Sequence, residues 1–186
     1  MAGTLAIRRA AALVRAGGVI AYPTESVWGL GCDPLDAEAV ARILAIKERP
    51  ATMGLILIAA EMAQLDPWIE PVCHEVEARV AATWPGSVTW VFPAQPWVPF
   101  WVHGGRGSLA VRVTAHAQSA ALCRAVGYPV VSTSANRSGH PPARTAAQVR
   151  RWLGDDIDFI LGGATGNHPW PSDIRDALTG RALRPA

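Results

Sequence analysis

Residues 19–60 read VIAYPTESVWGLGCDPLDAEAVARILAIKERPATMGLILIAA, and this stretch decides the fold class. VIAYP (19–23) is a short apolar run between glycines and a polar segment, the pattern of a buried strand. Asp36 then precedes a segment whose apolar residues recur at helical spacing, with Glu38 in its first turn. Asp36 is therefore the expected N-cap, and Pro50 ends the regular structure. GLILIAA (54–60) is a second buried strand. Strand, amphipathic helix and strand in succession predict a sheet covered by helices.

The same alternation extends outward. Upstream, TLAIRRAAALVRA (4–16) has helical spacing and stops at Gly17-Gly18. Downstream, residues 71–83 read as helix, and 87–93 and 108–113 as strands around a Pro- and Trp-rich stretch. A helix near 116–126 leads into strand PVVSTS (129–134), and Thr145 with Gln148 forms a capping box for a helix ending near Gly154. Short strands near 157–161, 172–177 and 182–184 close the chain. Two of the later connections are short, so the expected fold is α/β with a mixed sheet. Segment 93–106 and loop 137–144 (RSGHPPAR) are expected at the surface, the second as a candidate lid.

With 186 residues, 50% hydrophobic and 17% charged, the chain can bury a substantial core, and residues 1–186 are expected to form one domain. No apolar run approaches the roughly 18 residues of a membrane span, and Arg8, Arg9 and Arg15 interrupt the N-terminal apolar stretch; a cytoplasmic protein is expected. Cys32, Cys73 and Cys123 are far apart and lack a C-x-x-C pair, so they are read as buried thiols. The five histidines are read as surface or capping residues. A net charge of +2 excludes a strongly basic nucleic-acid coat. Of the seventeen basic residues only Lys47 is a lysine, which suggests a position where a compact ammonium matters.

Two polar clusters stand out. In Lys47-Glu48-Arg49-Pro50 a continued helix would aim Lys47 and Arg49 about 200° apart. Pro50 biases Arg49 out of the helical region, so the chain can unwind there and turn both cations toward one anion; the alternative is a solvated basic helix end. In Ser132-Thr133-Ser134-Ala135-Asn136 an extended backbone would present Ser132, Ser134 and Asn136 from one face, suited to a polyoxygen ligand; the alternative is a plain turn. Arg112, within apolar SLAVRV, needs a partner if it points inward: a ligand carboxylate, Glu25 or another acid. Thr24 lies past the first strand, Thr89 lies on a later one, and Ser172, Arg175 and Arg184 sit near the C-terminus. No P-loop, nucleophile elbow, zincin or dinucleotide fingerprint is present.

Taken together, YPTESVWGLG, KERP, GLILIAA, WPGSVTWVF, SLAVRV, VVSTSAN and PSDIRDALTG resemble the YrdC/TsaC family of threonylcarbamoyl-AMP synthases, in order from about residue 18 to 184. The resemblance implies a twisted open sheet with a large central cavity. It implies an enzyme that uses ATP, L-threonine and bicarbonate, with magnesium brought by ATP, and whose product passes to a complex modifying tRNA beside the anticodon. By matching position, Lys47 and Arg49 would be the catalytic cations on ATP, with Ser134, Asn136, Thr89, Arg144 and Arg184 as further nucleotide contacts. Thr24, Arg112, Ser132 and Ser172 would hold threonine. The sequence departs from the family at Gly54, where a proline is common, and lacks a histidine after GLILIAA. Two other readings remain: an RNA-binding module using Arg137, Arg144, Arg150 and Arg151, and a carbamoyl-transfer role like that of hydrogenase-maturation proteins. Weak tRNA binding is also compatible with the enzyme reading.

Overall fold

The computed structural model describes residues 3–166, 168 and 172–184. Its elements in chain order are α1 (Thr4–Arg15), β1 (Ile20–Pro23), β2 (Trp28–Gly31), α2 (Ala37–Ile46), β3 (Ile56–Ala59), α3 (His74–Ala81), β4 (Thr89–Pro93), α4 (Phe100–His103), β5 (Ser108–Val113), α5 (Ala117–Val126), β6 (Val130–Ser134), α6 (Ala146–Leu153), β7 (Phe159–Ile160), β8 (Ile174–Asp176) and β9 (Ala182–Arg184).

The expected caps are in place. Asp36 accepts from the backbone N–H groups of Glu38 and Ala39, and Thr145 and Gln148 close a reciprocal capping box. Gly17, at φ 80°, ends α1 in a left-handed turn in which the Gly18 N–H reaches the Leu13 carbonyl at 2.8 Å.

The strands form one mixed sheet in the order β7-β1-β2-β6-β3-β5-β4-β8-β9. β1/β7, β3/β5 and β4/β8 are parallel and the other neighbours antiparallel. Alternation along the strands sorts the core into two layers. Val19, Ala21, Leu57 and Val131 pack in one cluster with Val40 and Ile43 of α2, Val76 and Val80 of α3, and Val149 and Leu153 of α6. Ile20, Tyr22, Ile58 and Val130 pack in the other with Ala10 and Val14 of α1 and Leu122 and Val126 of α5. On this second face α1 and α5 pack against β1, β3 and β7. The rest of that face is free to line a cavity.

Three features depart from the sequence reading. Strand β2 was not expected, because two of its four residues are glycines, which weaken a strand. They are there for close approach: a Cβ on Gly31 would lie 2.6 Å from the Val131 carbonyl oxygen and 2.7 Å from the Tyr22 ring. Segment 93–106 is not merely a surface loop. It carries the turn of α4, buries Val98 and Val102, and ties Trp101 Nε1 to the Pro34 carbonyl. Cys32 and Cys123 are buried, but Cys73 is exposed, because it stands at the N-cap of α3 on the solvent side. Among the described residues no helix is long and apolar enough to cross a membrane.

Candidate active site

The site begins where α2 ends. Lys47 caps the helix, Glu48 adopts a left-handed φ of 49°, and the N–H groups of Glu48 and Arg49 return to the carbonyls of Ala45 and Leu44, each at 3.0 Å. This terminal turn normally places glycine at the left-handed position; a residue with a Cβ there carries a strain of about 1 kcal/mol. The unwinding expected at Arg49 is therefore made one residue earlier, by Glu48, and it separates the two cations' targets.

Lys47 is 6% exposed, which rules out a solvated helix end. Its Nζ lies 2.6 Å from the Ser134 carbonyl oxygen, 2.9 Å from Asn136 Oδ1, 3.1 Å from the Asn136 carbonyl oxygen and 3.3 Å from Ser134 Oγ. Four oxygens thus surround three protons. Burial, and then Arg49 nearby, pull the ammonium down to about 8. Arg49 donates to the carbonyls of Met53 and Gly54 at 3.1 and 2.9 Å. The Gly54 backbone, at φ 62° and ψ 170°, excludes a proline, whose ring fixes φ near −65°.

Arg49 opens onto a cavity of about 590 Å³. Thr24, Arg112, Ser132, Ser134, Ser172 and Arg184 line it as well, so seven of the eleven residues proposed from sequence share one chamber. Ser132 and Ser134 both line it, as does Thr133 between them. Asn136 does not, because the chain turns after β6: its N–H reaches the Ser134 carbonyl, and its side chain folds back so that Oδ1 accepts from Ser134 Oγ at 2.6 Å. Lys47 and Asn136 thus stand behind Ser134. Thr89 is fully buried outside the lining and accepts from Arg112 at 3.3 Å, because its strand position faces the guanidinium. Arg144 is exposed and outside the lining, at the start of the α6 cap.

Sequence reasoning missed Arg106 and His103, which also line the cavity. Arg106 donates to the Met53 carbonyl at 2.9 Å, the same oxygen that Arg49 uses. Its flanking Gly104, Gly105 and Gly107, all at positive φ, were the available signal of a turn built to present it. Glu25, considered only as an alternative partner for Arg112, is in place as that partner at 3.4 Å. Burial pushes its carboxyl up, but Arg112, the Thr114 hydroxyl and the backbone outweigh this and hold it below its usual range. Four arginines therefore face the cavity against one carboxylate. Burial, then the neighbouring cations Arg106 and Arg184, pull Arg49 downward, and burial and then Arg112 do the same to Arg184.

Arg112 is buried and Arg49 half-buried, so their charge is poorly relaxed by solvent, and with Arg106 and Arg184 exposed beside them the cavity favours an anionic ligand. Among the described residues no group of three or more His, Cys, Asp or Glu could hold a metal ion, and Glu25 is already engaged.

An open mixed sheet with a polycationic, hydroxyl-lined cavity on its uncovered face defines a binder of anionic small molecules. Known proteins agree with that class. The Sua5/YciO/YrdC family model, described as "Telomere recombination", matches residues 12–186, and the chain belongs to this family. A threonylcarbamoyl-AMP synthase of Halorhodospira halophila is 55% identical over 178 residues, covering 96% of this chain and 93% of that one. One from Nitrosococcus oceani is 53% identical, covering 96% of each. The crystal structure of P. abyssi Sua5 complexed with L-threonine superposes with a TM-score of 0.89 at 35% identity, over 96% of this chain and 53% of that longer chain.

Proposed function

We propose that this chain is a threonylcarbamoyl-AMP synthase, which condenses L-threonine, bicarbonate or carbon dioxide, and ATP to threonylcarbamoyl-AMP and pyrophosphate. The observation that carries the reading is the cavity's charge: Arg49, Arg106, Arg112 and Arg184 against Glu25 alone, with Ser132 and Ser134 in the same lining. Relatives of the same length that bear this name, and a more distant one crystallised with L-threonine, support it.

The chemistry asks little beyond placement. The threonine amine attacks the carbon of carbon dioxide, forming an N–C bond and releasing a proton. An oxygen of the resulting N-carboxylate attacks the α-phosphorus of ATP, forming an O–P bond while the bond to the β-phosphate oxygen breaks and pyrophosphate leaves. Aligning two reactants and neutralising the growing charge on pyrophosphate are the main demands, so no protein nucleophile is needed.

Arg49 and Arg184 take the phosphates from the cavity wall, and Ser134 Oγ joins them. Lys47 fixes the end of β6 from behind and adds its charge; it reaches a phosphate directly by giving up a bond to Ser134 or Asn136. Asn136 completes that support. Thr24, Ser132, Ser172 and Arg112 receive threonine, and Thr89 steadies Arg112. Arg144 meets the nucleotide only when loop 137–144 moves inward. Magnesium arrives on the ATP phosphates as part of the substrate.

Residues 1–186 act as one cytoplasmic unit that hands its product to a tRNA-modifying complex, with at most weak tRNA contact of its own. Pyrophosphate release tests the reading: it should need ATP, L-threonine and bicarbonate together. Equal release without threonine would sink it, and salt-sensitive RNA retention with no ATP turnover would favour an RNA-binding module.

A further inference from the structure

Arg112 and Glu25 form a buried pair, 7% and 13% exposed, in the cavity wall. Buried ion pairs hold when their geometry is tight and their remaining donors are used. This pair is loose. Its N···O separation is 3.4 Å, against about 2.7–2.9 Å for a good charged hydrogen bond. The other bond of Arg112, to Thr89, is 3.3 Å, and its Nε is buried without a partner. Glu25 is anchored on one side only: Oε1 accepts from the Thr114 hydroxyl at 2.6 Å and the Ala115 N–H at 3.2 Å, while Oε2 faces Arg112. A cation and an anion thus stand side by side at the cavity, each with unused bonding capacity.

With Arg112 already assigned to the amino-acid carboxylate, we propose that Glu25 beside it is the specificity residue that takes the α-ammonium, so that the pair matches the zwitterionic head of an α-amino acid. That the amino acid is threonine rests on the synthase reading; the added element is Glu25 as the residue that reads the amine. An α-amino acid carries its two charges on one carbon. Laid antiparallel to the pair, it converts one weak contact into a closed ring of four alternating charges, without moving Oε1 from its anchors. The arrangement selects amino acids over hydroxy acids of the same shape, since these leave Oε2 without its cation.

Calorimetry on the intact protein tests this with three ligands: L-threonine, 3-hydroxybutyrate, which lacks the ammonium, and threoninol, which lacks the carboxylate. Each analogue should bind at least about tenfold more weakly than L-threonine, from the loss of one charged contact. Glu25→Gln keeps the shape and an acceptor for Thr114. It should weaken L-threonine at least about tenfold while leaving 3-hydroxybutyrate and ATP affinities at their wild-type values. Equal wild-type affinity for L-threonine and 3-hydroxybutyrate overturns the proposal. So does a Glu25→Gln variant that loses both ligands equally, which would make Glu25 a strut for Arg112. If melting curves show that variant unfolded, the wild-type ligand series decides alone. A wild-type protein that binds ATP but none of the three ligands removes the synthase reading itself.

Discussion

Replacing Lys47 by methionine keeps a long, flexible side chain and removes the ammonium, and the burial of that ammonium sets the expected effect. Folded Lys47 gives up its proton at about 8, whereas a lysine in an unfolded chain keeps it to about 10.5. Between those values the unfolded state binds more protons, so this group adds stability as pH rises through 8, and its contribution is complete near 10.5. At about 1.4 kcal/mol per pH unit the gain is roughly 3 kcal/mol. Cys32 and Cys123 work the other way. Burial raises both thiols, Cys123 to about 12, so the unfolded chain loses those protons first and stability falls with pH.

The informative quantity is therefore the difference between wild type and Lys47→Met, which share both thiols. The wild-type advantage in melting temperature should widen by about 6–12 °C between pH 7 and 10.5. Wild-type ATP affinity should fall above pH 8, where the ammonium is lost, and the variant's should stay level. Parallel pH–stability profiles would refute the claim that Lys47 is buried and depressed in the fold. Pyrophosphate release should fall roughly 30- to 1000-fold in Lys47→Met. It should fall in Lys47→Arg as well, because a planar guanidinium does not fit among oxygens arranged for a compact ammonium. Full turnover by Lys47→Arg would leave Lys47 no part in phosphate handling beyond its charge, and the phosphates to Arg49 and Arg184 alone.

Three further outcomes are expected. Ser134→Ala should weaken ATP binding with little loss of stability, and Asn136→Ala should do both, since Asn136 also donates to the carbonyls of Arg137 and His140; calorimetry with melting curves separates the two. Gly54→Ala should destabilise the fold by about 1–3 kcal/mol, because its φ and ψ suit only glycine and a Cβ would press on the carbonyls of Val102 and His103 at 3.3 Å; an unchanged melting temperature would contradict this. A thiol reagent at neutral pH should modify Cys73 quickly, and Cys32 and Cys123 only on unfolding, as mass spectrometry of the labelled peptides would report.

Much of the scaffold was legible because it depends on residues close in sequence. Asp36 and Thr145 cap their helices through N–H groups two or three residues away, and VIAYP and PVVSTS are apolar enough to declare themselves as strands. Strand β2 hid behind Gly29 and Gly31, whose purpose is contact with Tyr22 and β6, which no local pattern reports. Likewise Val98 and Val102 read as loop residues in a proline-rich segment, yet tertiary packing buries both.

The chain by itself determined which chemical groups are available: one lysine among sixteen arginines, a run of hydroxyls after a strand, and an arginine in an apolar stretch that had to find a partner. Tertiary structure decided where those groups point. Pairing β6 against β2 and β3 brings Ser134 and Asn136 to Lys47, some ninety positions away in the chain. Pairing β5 with β3 and β4 sets Arg112 between Thr89 and Glu25. Side-chain direction along a strand follows from a period of two, but which surface that direction meets is set by strand order, which long-range packing alone selects.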